Sequence, residues 1–173
     1  MNRRIFLLAP TALTTATLTG TARADLPKVQ SLDDALRWLD KLGNSANAKT
    51  SAGWPLVSVL DHMAQSVEMS LDGFPQPKPE IFQNTLGAAA FAVFKWRGKM
   101  SHSLTDPIPG APVLSVATDW RPAALRLRTS IERFNKHQGP LKPHFAYGNL
   151  SKADFRLAHV LHIANHQDEV LLG

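Results

Sequence analysis

Residues 151–171, SKADFRLAHVLHIANHQDEVL, place three histidines on one short stretch. The spacing predicts a helix. At about 100° per residue, Phe155, His159, His162 and His166 share a sector roughly 60° wide, with Glu169 at its edge. Leu157, Val160, Leu161, Ala164 and Leu171 take the opposite side. A helix that is apolar on one side and lined with imidazoles on the other has no face suited to water. It has to lie inside a helical assembly, with its histidines turned toward a shared interior or cleft. His162 and His166 are four residues apart, so their rings can converge on one ion. Two histidines leave a metal site incomplete, and the third ligand has to come from elsewhere in the chain.

A chain of 173 residues is long enough for one domain with a full core. It contains no cysteine, which excludes disulfides, thiolate metal ligands and a cysteine nucleophile. Thiol chemistry would need a thiol from outside. Residues 1–24 read as an export signal, with Arg3 and Arg4 at the charged end, a threonine-rich apolar run from Ile5 to Leu18, and Ala22-Arg23-Ala24 as a small-x-small cleavage site. The run is short for a membrane span. The segment NRRIFL resembles a twin-arginine signal, with Asn2 where Ser or Thr is usual and Leu8 where Lys is common. Ordinary secretion and an uncleaved anchor are the alternatives. The expectation is a periplasmic or secreted protein whose residues 25–173 form one domain with no stable membrane span. Loss of Arg3, Arg4 and Arg23 with the leader leaves 16 basic against 14 acidic side chains, a balance too small to imply nucleic acid.

Along the chain, Ser31 is placed to cap a first short helix, with Asp33 and Asp34 in its first turn and Gly43 at its end. Trp54-Pro55 opens a second helix. Leu56, Leu60, Met63, Ala64, Val67 and Leu71 form its main apolar stripe, while His62 lies on another stripe with Val59, Ser66 and Met69. Two stripes predict packing on two sides, with His62 toward the last helix. A third helix is expected from Pro79-Glu80 to Trp96, deeply packed because LGAAAFAVF is apolar on nearly every side. The proline-rich loop SHSLTDPIPGAP carries His102. A fourth helix is expected from near Thr118 or Asp119, with Trp120, Ala124, Leu127, Ile131 and Phe134 inward and Arg121, Arg126, Arg128 and Arg133 mostly solvated. The loop QGPLKPHFAYGN carries His144 and Tyr147, and Ser151 caps the histidine helix. No strand-like alternation appears. The reading is all-α, with four long helices and a shorter first one.

LDHMAQSVEMSLDGFP on the second helix and AHVLHIANH on the last together resemble the DinB-like superfamily of helical bundles. KMSHSLTDPIPGAP and LKPHFAYGNLSKADF resemble a bacterial branch of it with no assigned function. The resemblance covers most of the chain after Ser31. It implies a DinB-like four-helix bundle with an additional short helix, a triad of His62, His162 and His166, and a possible homodimer. In the better-known relatives Zn²⁺ or Ni²⁺ held by three histidines activates a thiol for transfer or isomerisation. This chain departs from them in its export signal and in the additional histidines His102, His144 and His159.

The expected cofactor is therefore a divalent metal, zinc or nickel first and iron as an alternative, held by His62, His162 and His166. Such an ion lowers the pKa of a bound water or thiol and makes a nucleophile near neutral pH. Glu169 is a candidate to orient an imidazole or act as a base, with a helix-end surface carboxylate as the plainer reading. His144, Tyr147 and His102 are candidates for the rim of a pocket that admits a small-molecule substrate. Asp61 reads as a surface charge. A triad of His159, His162 and His166 is disfavoured, because His159 and His166 lie roughly 10 Å apart along the axis. Two competing readings stay open. One is a non-catalytic metal-binding module closed by a fourth ligand, His159 or Glu169. The other is a metal-free structural bundle with buried, hydrogen-bonded histidines.

Overall fold

The computed structural model describes residues 28–51 and 53–173. The expected export signal lies outside the described residues. Helix α1 (Leu32–Gly43) begins as the sequence predicts, with the Ser31 hydroxyl oxygen accepting from the Asp34 N–H. Gly43 is its last residue and Asn44 forms the C-cap. The 44–53 segment then pairs with the chain's end. Strand β1 (Lys49–Thr50) lies antiparallel to β2 (Val170–Leu171), and Ser51 N–H donates to the Glu169 carbonyl. A two-residue pairing leaves no alternation for sequence reading to detect.

Helix α2 (Leu56–Asp72) is buried on nearly all sides, as its two stripes predict, and Gly73 ends it at a φ of 113°. Helix α5 (Arg121–Lys136) starts two or three residues later than expected, with Pro122 in its first turn. Helix α6 (Lys152–Gln167) is the histidine helix, and Ser151 Oγ accepts from the Asp154 N–H. Helix α1 packs on α5 and α6, and α2 packs on the same two. Their shared core includes Leu42, Leu60, Met63, Leu127, Ile131, Phe134 and Phe155. The fold is mostly helical, and no helix among the described residues is long and apolar enough to cross a membrane.

Two expectations fail here. The third long helix forms, as α3 (Glu80–Phe82), a π turn (Gln83–Gly87) and α4 (Ala88–Arg97) in one rod, but it is not deeply packed. Only Gln83, Gly87 and Phe91 are buried. The rod docks by that one edge on the 144–148 loop, close enough that a Cβ on Gly87 would lie 1.9 Å from the Ala146 carbonyl oxygen. Phe82, Ala90 and Phe94 are half-buried, and Ile81, Leu86, Val93 and Trp96 are exposed. The arginines of α5 also do more than face water. Arg126 holds Asp61 at 2.5 Å and Glu68 at 2.6 Å, Arg133 holds Asp72, and Arg128 holds Asp40. Asp61 is buried rather than superficial, and its second oxygen accepts from the Ser115 N–H. Sequence spacing did not pair these groups because the partners lie on different helices.

Candidate metal centre

Helices α2 and α6 face each other with matched polar steps. His62, Ser66 and Ser70 are spaced by four along α2, and His166, His162 and His159 descend along α6. Ser70 meets His159 at 3.2 Å, Ser66 meets His162 at 3.1 Å, and His62 meets His162 at 3.2 Å. This ladder brings one nitrogen each of His62, His162 and His166 within 4.8 Å of one another, a group able to hold a metal ion. All three residues are buried.

The hydrogen bonds show which atoms are left over. His166 Nδ1 is 2.7 Å from Glu169 Oε1. Glu169 in its ionised form can only accept, and Nδ1 then carries the proton and Nε2 bears a lone pair. That Nε2 is buried without a partner. His162 Nε2 and His62 Nε2 are 3.2 Å apart, and His62 Nδ1 is also buried without a partner. No placement of protons satisfies all of these atoms. A tetrahedral ion bound at about 2.0–2.1 Å sets its ligand nitrogens about 3.3 Å apart, close to the 3.2 Å between His62 and His162, and His166 lies within the 4.8 Å that the whole group spans. An ion would take the Nε2 lone pairs, with Nδ1–H of His162 donating to Ser66 and that of His166 to Glu169. The donor set fits a divalent metal.

Burial favours the neutral rings such a site needs. It pushes His62 down to about 4 and His166 to about 3, with neighbouring imidazoles adding to the effect. His162 is pushed well below its ordinary value for the same reasons. Burial also pushes the Glu169 carboxyl up to about 7. Glu169 is buried against His166 and is not a helix-end surface carboxylate. It reaches this place because β2 pins the chain end back onto β1.

His62 and His162 line a cavity of about 450 Å³, with His166 packed behind them. His102 lines it from the proline-rich loop, with its ring centroid 5.0 Å from that of His162. Its Nδ1 lies 2.7 Å from the Ser103 carbonyl, so the proton sits on Nδ1 and the lone pair on Nε2. His144 also lines the cavity. Its Nδ1 accepts from the Ala146 and Tyr147 N–H groups, which fixes the proton on Nε2, and burial lowers its pKa to about 3. The Tyr147 ring stacks on it at 4.2 Å, and burial pushes that phenol up to about 12. Both are thus neutral hydrogen-bond donors on the pocket wall. They lie beyond His159, away from the triad. Sequence reasoning missed Ser66 as the partner of His162, Trp54 against the His62 ring at 5.2 Å, and Lys78 and Asp106 in the pocket lining. The His62-Ser66-Ser70 step was the available signal for the first.

A family described as a protein of unknown function (DUF1569) matches residues 21–171. The chain belongs to the DUF1569 family. No curated protein and no solved structure matches it significantly. In this DUF1569 protein the two fourth-ligand candidates are engaged elsewhere. His159 Nε2 bonds to Ser70, and Glu169 bonds to the far nitrogen of His166.

Proposed function

We propose that this DUF1569 protein is an exported, DinB-like metalloenzyme that holds one divalent ion, zinc or nickel, through His62, His162 and His166. Its reaction is a group transfer or hydrolysis on a small organic molecule. One observation carries this reading: the unpartnered Nε2 of His166 and the two facing Nε2 atoms of His62 and His162 converge beside an open cavity. The resemblance of the histidine segments to DinB-like bundles supports it, as does the leader's likeness to an export signal. An ion bound there supplies a Lewis acid that makes a coordinated water or thiol nucleophilic near neutral pH.

The chain's own groups do the rest. Ionised Glu169 holds the His166 ring in the tautomer that presents Nε2, and Ser66 meets Nδ1 of His162 and so orients its Nε2 toward the ion. His102, exposed at the mouth, has its Nε2 lone pair 3.4 Å from the Asn165 amide, a long contact that an entering nucleophile would replace as it passes its proton to Nε2. His144 and Tyr147 donate hydrogen bonds to the substrate's oxygens. Met100, Ile108 and Phe145 give the pocket apolar walls that limit water. The engagement of His159 and Glu169 elsewhere favours this reading over a closed, non-catalytic metal store.

The experiment is a turnover screen of untagged protein after zinc or nickel loading. Activated esters and phosphoesters report hydrolysis, and 1-chloro-2,4-dinitrobenzene with small thiols reports transfer. The expected result is a rate that chelation removes, that metal restores, and that His62→Ala lacks. Stoichiometric metal with no turnover in either panel would favour the non-catalytic store, and no metal uptake would reject both.

A further inference from the structure

The rod of α3, the π turn and α4 presents apolar side chains that nothing among the described residues covers. Ile81, Leu86, Val93 and Trp96 are 74%, 67%, 46% and 86% exposed. Leu86, Ala89, Val93 and Trp96 follow at steps of three, four and three, the spacing of a seam between two helices. The π turn accommodates an extra residue per turn and so brings Ile81, five positions before Leu86, onto the same line. The opposite edge is already used by Gln83, Gly87 and Phe91 against the 144–148 loop. An exposed apolar patch of this extent marks an interaction surface.

We propose that the seam pairs with the same seam of a second copy of this chain, antiparallel across a two-fold axis. Charge selects this occupant and this direction. Exposed Glu80 opens the rod, and exposed Arg97 and Lys99 close it. Antiparallel pairing sets each carboxylate near the other copy's cations, whereas parallel pairing sets like against like. The neighbouring cations are committed elsewhere: Lys78 lies over the Phe82 ring, and Lys95 is paired with Asp154. Exposed Ala88, Ala89 and Ala92 sit mid-rod, where the two-fold axis would cross and the helices need to approach closely. The four large side chains would hide on the order of 500 Å² per copy, and the alanines and charged ends bring this toward the roughly 800 Å² of a standard interface. Pairing would also brace the pocket. The rod's buried edge holds Phe145 through Gln83 and stacks Phe91 on Tyr147.

Sedimentation of the full chain over a micromolar concentration series tests the proposal. The wild type is expected at twice the chain mass. Trp96→Glu and, independently, Ile81→Glu should weaken the dimer at least a hundredfold while circular dichroism and metal uptake stay unchanged. Val116→Glu, at an exposed apolar residue outside the rod, should leave the dimer intact. Glu80→Arg should weaken it several-fold, and adding Arg97→Glu should restore it. A wild type that stays monomeric, including one whose residues 1–27 cover the seam, would overturn the proposal. So would a dimer that survives both Trp96→Glu and Ile81→Glu, or one lost only in Val116→Glu.

Discussion

Four histidines lie buried between α2 and α6, and they have two different fates. His159 sits between the rings of Phe134 and Phe155, and its surroundings satisfy it. The Ser70 hydroxyl proton goes to the Val67 carbonyl, so Ser70 Oγ accepts from His159 Nε2–H. His62, His162 and His166 are also buried, yet His62 Nδ1 and His166 Nε2 have no partner, and one nitrogen of each ring lies within 4.8 Å of the others. Burial alone therefore does not mark a ligand. The ligand candidates are marked by neutral rings whose unanswered nitrogens gather in one place; in His162 and His166 the protein also holds the far nitrogen, whereas in His62 it holds neither.

The sharpest way to break this comparison is to remove one ring from each group. His162→Ala should cut zinc affinity by more than about a hundredfold, beyond the loss caused by removing an outer hydrogen-bond partner. His159→Ala should leave affinity unchanged but cost about 3 kcal/mol of stability through the cavity it opens. Competition with a chromogenic chelator and urea unfolding separate the two effects. A smaller effect is expected at Glu169. Glu169→Ala should lower metal affinity about 10–100-fold by freeing the His166 ring, with all three ligands still present.

Acid acts on every buried ring of the metal-free protein, and a substitution at His159 separates the satisfied ring's share from the triad's. Burial lowers His159 and His144 to about 3. Their folded pKa lies below the unfolded value, so the neutral rings add stability above pH 6.5. That contribution is lost as pH falls from 6.5 toward 3, amounting to at most about 2 kcal/mol per ring at pH 5. Unfolding of metal-free protein between pH 7.5 and 5 should therefore steepen with acid, and His159→Phe should remove part of the slope. The smallest expected difference lies between the serines. Ser66→Ala should weaken metal binding about fivefold, the equivalent of one ordinary hydrogen bond, while Ser70→Ala should lower stability by about 1 kcal/mol and leave metal binding alone.

The histidine ladder was legible in the sequence because helical periodicity places His62 and the α6 imidazoles on definite faces. The same periodicity showed α2 packed on two sides. It misplaced the α3–α4 rod because a stretch apolar on every side reads the same whether its cover is the domain's own core or something beyond it. Only Gln83, Gly87 and Phe91 turned out to face inward. Glu169 could not be placed because its burial depends on the two-residue pairing of β1 with β2, which has no pattern of its own. The Asp61–Arg126 pair joins residues 65 positions apart, a separation that local spacing does not encode.

X-ray absorption at the metal edge of zinc-loaded protein tests the convergence of the three rings most directly. Three imidazole nitrogens at about 2.0–2.1 Å and one exchangeable light ligand are expected, with one imidazole fewer in His62→Ala. A wild-type spectrum with fewer than three imidazoles, or one that His62→Ala leaves unchanged, would contradict a single site built from His62, His162 and His166.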